Sequence, residues 1–204
     1  MHSLFVLGIV LAVPLAGVAQ PFTALDLNGK LDYQIQQSVG PLALLGDAAY
    51  AGILQGLDTP REWGQGGSGY GKRFGSTLAC TGMRGALAFG LDSALHEDPR
   101  YFRSGGDGFW RRAKHAFRGT VLTRTDTGRE VVSGWRFGSA YGAAYLSNQW
   151  YPGRLNTVGL GFAQGSLTMG FDLVRNLASE FGPDLKRKLR RPRPEPVGLH
   201  APPS

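Results

Sequence analysis

The chain has 204 residues, with 22 Lys plus Arg against 15 Asp plus Glu, a formal net charge of +7 and 18% charged residues. It holds 31 glycines, about twice the ~7% share usual in proteins, which excludes both a disordered acidic tail and the composition of an ordinary cytosolic enzyme. The length supports one domain with a real core, and the single cysteine, Cys80, excludes an internal disulfide framework and a Cys-rich zinc site.

Taken in chain order, segment 1–19 reads as a cleaved export signal. Its apolar stretch from Leu4 to Val13 is followed by Pro14 and by the small residues Gly17-Val18-Ala19 before Gln20. Segment 22–39 carries Leu27, Leu31 and Ile35 at helical spacing and is broken by Gly40-Pro41. A second helix is predicted over 42–57, rich in Ala and Gly, and a glycine-rich loop over 61–70, with Trp63 and Tyr70 as aromatic anchors. A long helix is expected over 71–95. The charged and aromatic turn 96–103 and the flexible link 104–108 then lead to a short basic helix over 109–119. Segment 121–132 reads equally as a β-hairpin around Asp126-Thr127-Gly128 or as a helix end plus a loop. Helices over 135–151 and 155–181 follow. The domain is therefore expected to span 20–185, and 186–204 to be a basic, proline-rich disordered tail.

Glycine inside a helix costs ~1 kcal/mol relative to Ala, so its repetition needs a reason. Gly75, Gly82 and Gly90 in the first long helix, Gly138 and Gly142 in the next, and Gly161 and Gly165 in the last predict helix contacts of the small-xxx-small kind. Such contacts occur within tight soluble bundles and between membrane helices, and they offer a route to a homo-oligomer. Segments 137–153 and 155–171 are free of charge apart from Arg154 between them and approach the ~17-residue lower limit of a membrane span. Trp150 and Tyr151 at their junction fit an interfacial belt. Against burial in lipid stand Arg84, Asp92, Asp172 and Arg175, which would need partners or a polar interior.

The basic surplus lies late in the chain, between Arg100 and Arg154 and again from Arg175 to Arg193. In the tail, Lys186, Arg187, Lys188, Arg190 and Arg191 are expected to attract an anionic lipid or envelope surface. Nucleic acid is not the expected partner of an exported protein.

The candidates for chemistry are His96, Glu97 and Asp98, with His115 downstream. Imidazole and carboxylate are metal-ligand types, and an imidazole beside a carboxylate can act as a base. Their spacing matches no zinc motif. The competing reading pairs Glu97 and Asp98 with Arg100 or Arg103 at a helix end. Neither a P-loop nor a nucleophile elbow is present, and no cofactor or metal is expected.

Three segments stand out together: Asp58-Thr59-Pro60-Arg61-Glu62-Trp63-Gly64-Gln65-Gly66, Gly69-Tyr70-Gly71-Lys72-Arg73 and His96-Glu97-Asp98-Pro99-Arg100-Tyr101-Phe102. With an Arg-Thr-Asp-x-Gly segment at 124–128 and a Ser-Asn-x-x-Tyr-Pro segment at 147–152, the mature chain resembles an uncharacterised family of exported bacterial proteins of similar size. That resemblance implies a helical fold and no mechanism. The expected protein is a mainly α, glycine-rich multi-helix bundle with a short β-hairpin near 121–132. It is exported to the periplasm or cell envelope and membrane-associated, with a structural or binding role rather than catalysis. The alternatives are a metal-dependent envelope hydrolase centred on His96-Glu97-Asp98, and a soluble periplasmic module binding an acidic ligand.

Overall fold

The computed structural model describes residues 22–190; the expected signal segment 1–19 and the tail from Arg191 onward lie outside the described residues. Among the described residues are six α-helices and one three-stranded antiparallel sheet, so the fold is mainly α with a short hairpin.

Helix α1 (Leu27–Val39) starts where the Asp26 carboxylate accepts the Gly29 N–H at 2.8 Å, an N-cap that satisfies one of the first-turn donors. It stops at Gly40, and Pro41 opens α2 (Pro41–Gly56), the position where a missing N–H is harmless. Helix α3 (Gly66–Ala94) begins earlier than expected, because only the first part of the glycine-rich stretch is a loop. The organiser is Arg73, fully buried. Its guanidinium donates to the carbonyls of Thr59 (2.8 Å), Pro60 (2.8 Å) and Gly64 (2.7 Å) and to Gln55 Oε1 (2.6 Å). Gly64 takes a φ of +73°, and a Cβ at Gly69 would strike the Gly64 carbonyl; the glycines thus let the loop close on Arg73.

Strand β1 (Glu97–Asp98) pairs with β2 (Leu122–Thr125), and β2 with β3 (Glu130–Val132). The segment around Asp126-Thr127-Gly128 is therefore a hairpin, with Gly128 at φ +82° in its turn. Helix α4 (Phe109–Val121) precedes the hairpin, and α5 (Gly134–Ser147) and α6 (Val158–Arg190) follow it. Helix α6 runs through Pro183 to Arg190, so residues 186–190, expected to be disordered tail, are helical.

Helix α3 packs against α1, α2 and α5; α5 packs on α6, and α6 on α4. The buried apolar residues are mostly small, Ala51, Ala88, Ala116, Ala140, Ala143 and Ala144 beside Trp135. Gly138 and Gly142 receive Leu91 and Leu87 of α3, and Gly161 and Gly165 receive the rings of Tyr145 and Tyr141. Among the described residues a Cβ at Gly75, Gly82 or Gly90 would instead meet nothing within 4 Å, so within the bundle this α3 stripe is not a contact between helices. The α3 glycines that are pressed are Gly69, against the Gly64 carbonyl, and Gly85, against Ser38 of α1.

Helix α1 turns its polar stripe inward. Lys30, Gln34 and Ser38 are buried, whereas Leu27, Leu31, Ile35 and Val39 are 63%, 39%, 45% and 49% exposed. The same inversion recurs at Leu42, Leu45 and Ile53 of α2 and at Val158, Phe162 and Phe171 of α6, all exposed. Among the described residues no helix is long and apolar enough to cross a membrane. Segments 137–153 and 155–171, read as candidate spans, are parts of helices and turns thinned by glycine and serine.

Candidate functional site

The His96 turn is held together by structural hydrogen bonds. Glu97, on β1, reaches the start of α5, where its two carboxylate oxygens accept the N–H groups of Gly134 and Trp135, each at 3.1 Å. A carboxylate at a helix N-terminus meets both unpaired donors and the positive end of the helix dipole. Asp98, fully buried, is paired with Arg100 through Nε (2.9 Å) and Nη2 (2.6 Å), and also accepts the Arg100 backbone N–H at 3.0 Å. The His96 side chain is 81% exposed at a backbone φ of +52°, 3.5 Å from Asp126. His115, on α4, donates from Nε2 to the Phe102 carbonyl at 2.8 Å and lies edge-on to Tyr101. The four side chains thus serve different neighbours. Among the described residues no group of three or more His, Cys, Asp or Glu side chains is arranged to hold a metal ion.

The interior is ionic to an extent that the sequence did not disclose. Lys30 donates to Asp126 Oδ2 (2.9 Å) and to the Asp92 carbonyl (3.1 Å), and Gln34 donates to Asp92 Oδ2 (2.8 Å). Burial pushes the Asp92 carboxyl up to about 6, against the hydrogen bonds from Gln34 and Ser93. One carboxylate, Asp172 of α6, faces three guanidiniums: Arg84 at 2.5 Å, Arg175 at 3.6 Å and Arg136 at 3.8 Å. Arg136 is fully buried and gives Nη1 to the carbonyls of Gly119 and Thr120 at the end of α4; burial lowers its pKa to about 10 while Asp172 opposes the shift. Of the charges that argued against burial in lipid, Arg84 and Arg175 are thus paired with Asp172 inside the bundle, while Asp92 is hydrogen-bonded by Gln34 and Ser93.

At the far end of α6, buried Glu180 gathers the segment that follows the His96 turn. It accepts from the Tyr101 hydroxyl (2.7 Å), the Ser104 N–H (2.7 Å), the Ser104 hydroxyl (3.0 Å) and Arg112 (3.4 Å). Burial alone would raise its pKa, but Tyr101, Ser104 and Arg112 together hold it below the ordinary carboxylate value. Arg112 also bonds Asp184. The result is a fixed wall beside α4, next to an open cleft of about 320 Å³ lined by Ser104, Gly106, Arg111, Lys114, His115 and Arg118.

The aromatic pair expected at a membrane interface packs back on the protein. Trp150 donates its indole N–H to Ser76 at 2.9 Å, and Tyr151 stacks at a tilt on Trp63. Of the basic residues proposed for surface attraction, Lys186 and Arg187 are exposed on the last turns of α6, with Arg187 2.9 Å from Asp184; Lys188 and Arg190 belong to the same helix. Comparison with protein-family models, with curated proteins and with solved structures found no match.

Proposed function

We propose that this chain is an exported envelope protein with a structural or binding role, seated on a lipid surface by the outward apolar faces of α1, α2 and α6. The observation that carries this reading is the inversion of α1. A helix on the surface of a water-soluble bundle turns its apolar stripe inward, whereas here Lys30, Gln34 and Ser38 are buried and Leu27, Leu31, Ile35 and Val39 face out. Exposed apolar residues repeated along helix faces mark an interaction site, and with no helix among the described residues able to cross, the fitting mode is association along the interface. The hydrolase alternative has less to support it, since the Glu97 and Asp98 carboxylates are engaged by the start of α5 and by Arg100.

The test is co-sedimentation of the full chain with phosphatidylcholine vesicles. Each Leu or Ile side chain removed from water contributes about 1.5–3 kcal/mol, so Leu31→Glu with Ile35→Glu should abolish binding while leaving the fold intact. Wild-type protein that stays in solution as a defined oligomer and binds no vesicle would overturn the lipid reading in favour of self-association.

A further inference from the structure

Helix α4 carries two surfaces side by side. Trp110 and Phe117 are 74% and 62% exposed, although large aromatic residues on a free surface are disfavoured. On the adjoining face Arg111, Lys114 and Arg118 line the cleft, with His115 at its edge. The opposite wall is segment 104–106, fixed by the hydrogen bonds from Ser104 to buried Glu180.

The cleft is built around Arg111. Its guanidinium occupies the place a Cβ would take at Gly106, where the nearest atom would be 2.5 Å away, so the glycine lets the cation lie flat along the wall. Glu130 pairs with Arg118, but among the described residues no carboxylate pairs with Arg111 or Lys114. His115 already spends its Nε2 proton on the Phe102 carbonyl, which sets the ring as a fixed edge. The volume, about 320 Å³, is many times the ~30 Å³ of one water and admits a phosphodiester with its neighbouring atoms.

We infer that this cleft seats the phosphate of an anionic phospholipid head group, with Trp110 and Phe117 entering the acyl boundary beside it. Free phosphate would use the cations but has no use for the two exposed aromatics, whereas a basic helix flanked by Trp and Phe matches the interfacial arrangement at a lipid surface. The inference rests on the lipid-association reading and adds to it a choice of lipid. It also moves the anionic contact from the tail to α4.

The experiment compares binding of the full chain to phosphatidylcholine vesicles with and without phosphatidylglycerol at one moderate ionic strength. Phosphatidylglycerol should strengthen wild-type binding, and Arg111→Gln with Lys114→Gln should lose about thirtyfold of that gain, equivalent to ~1 kcal/mol for each of two cations at a charged surface. Both side chains are exposed, so the variant should keep its fold and its binding to phosphatidylcholine alone. The control, Lys186→Gln with Arg187→Gln, removes the same charge outside the cleft and should keep most of the gain. An equal loss in both pairs would reduce the effect to general electrostatics and overturn the cleft, as would a full gain in the Arg111 and Lys114 variant. Inorganic phosphate that displaces the protein at concentrations where sodium chloride of equal ionic strength does not would confirm the anion contact; phosphate binding to the protein in solution, lost in the Arg111 and Lys114 variant, with no vesicle gain in the wild type would overturn the lipid assignment. Wild-type binding to phosphatidylcholine with no gain from phosphatidylglycerol defeats the cleft alone, and binding to neither vesicle defeats both readings.

Discussion

Asp92 and Glu97 are buried carboxylates with opposite histories. Burial raises the Asp92 pKa from 3.8 to about 6, so between about pH 4 and 6 the folded protein binds more protons than the unfolded chain. Stability contributed by this group therefore falls as pH rises through that window. Asp92→Asn should remove the slope: the unfolding free energy of the wild type relative to this variant, measured in denaturant, should be greater at pH 4.5 than at pH 7. Glu180 acts in the opposite sense, because its pKa is held below the ordinary value and its contribution is lost only as pH falls through that lowered value. Glu97 is a structural acceptor, tying two N–H groups of α5 to β1. Glu97→Ala should cost about 0.5–2 kcal/mol, the range of a lost helix cap, in a thermal or denaturant melt; an unchanged melt would show that water replaces the carboxylate without loss.

Among the helices, glycine has two different meanings. On α6, a Cβ at Gly165 would enter the Tyr141 ring closer than 3.0 Å, and the ring is held by its hydroxyl contact with Ser166 at 3.1 Å. On α3, Gly90 faces open space. Gly165→Ala should accordingly destabilise by about 1–3 kcal/mol through overpacking, while Gly90→Ala should stabilise by up to ~1 kcal/mol through helix propensity. Comparison of the two melting temperatures checks both, and a fall in both would mean that the α3 stripe is covered by something outside the described residues. Identical spacing on two helices thus yields opposite predictions, because the neighbour rather than the spacing decides the cost.

Across the whole molecule, charge and bulk have exchanged their usual places. Arg73, Arg136, Lys30, Asp92, Asp98 and Glu180 are among the most buried side chains, while Leu, Ile, Val and Phe of α1, α2 and α6 are turned out. Buried charges are tolerated only when paired and hydrogen-bonded: here Arg73 and Arg136 donate to carbonyls, Lys30 meets Asp126, Asp92 accepts from Gln34, Asp98 meets Arg100, and Glu180 accepts from Tyr101, Ser104 and Arg112. Such a bundle gains little from a conventional apolar core, so part of its stability should come from whatever covers the outer faces. Binding to the folded form alone stabilises in proportion to occupancy; addition of phosphatidylcholine vesicles should therefore raise the melting temperature of the wild type and leave that of the Leu31→Glu, Ile35→Glu variant unmoved.

The local signals were legible along the chain. Gly40-Pro41 divides α1 from α2, Asp126-Thr127-Gly128 turns the hairpin, and Phe109 opens α4 where the sequence places it. Such signals act over a few residues, so composition and spacing place the helix breaks, whereas the hairpin stood level with a helix end plus a loop until β2 paired with β1 and β3. The segments singled out in the sequence also acquire physical roles: Arg73 closes the loop 58–66, Asp126 holds Lys30, and Asn148 donates to the Thr157 carbonyl at 3.1 Å. The sequence could not name those partners, because each lies on another turn or element and is met only when the chain folds. Nor could it orient α1, whose polar stripe 30, 34, 38 and apolar stripe 27, 31, 35 have the same four-residue spacing. Periodicity measures how far apart two stripes lie on a helix and carries no information about which one turns inward. That choice fell to the tertiary structure, where Asp92 and Asp126 wait for Lys30 and Gln34, and Gly85 leaves room for Ser38.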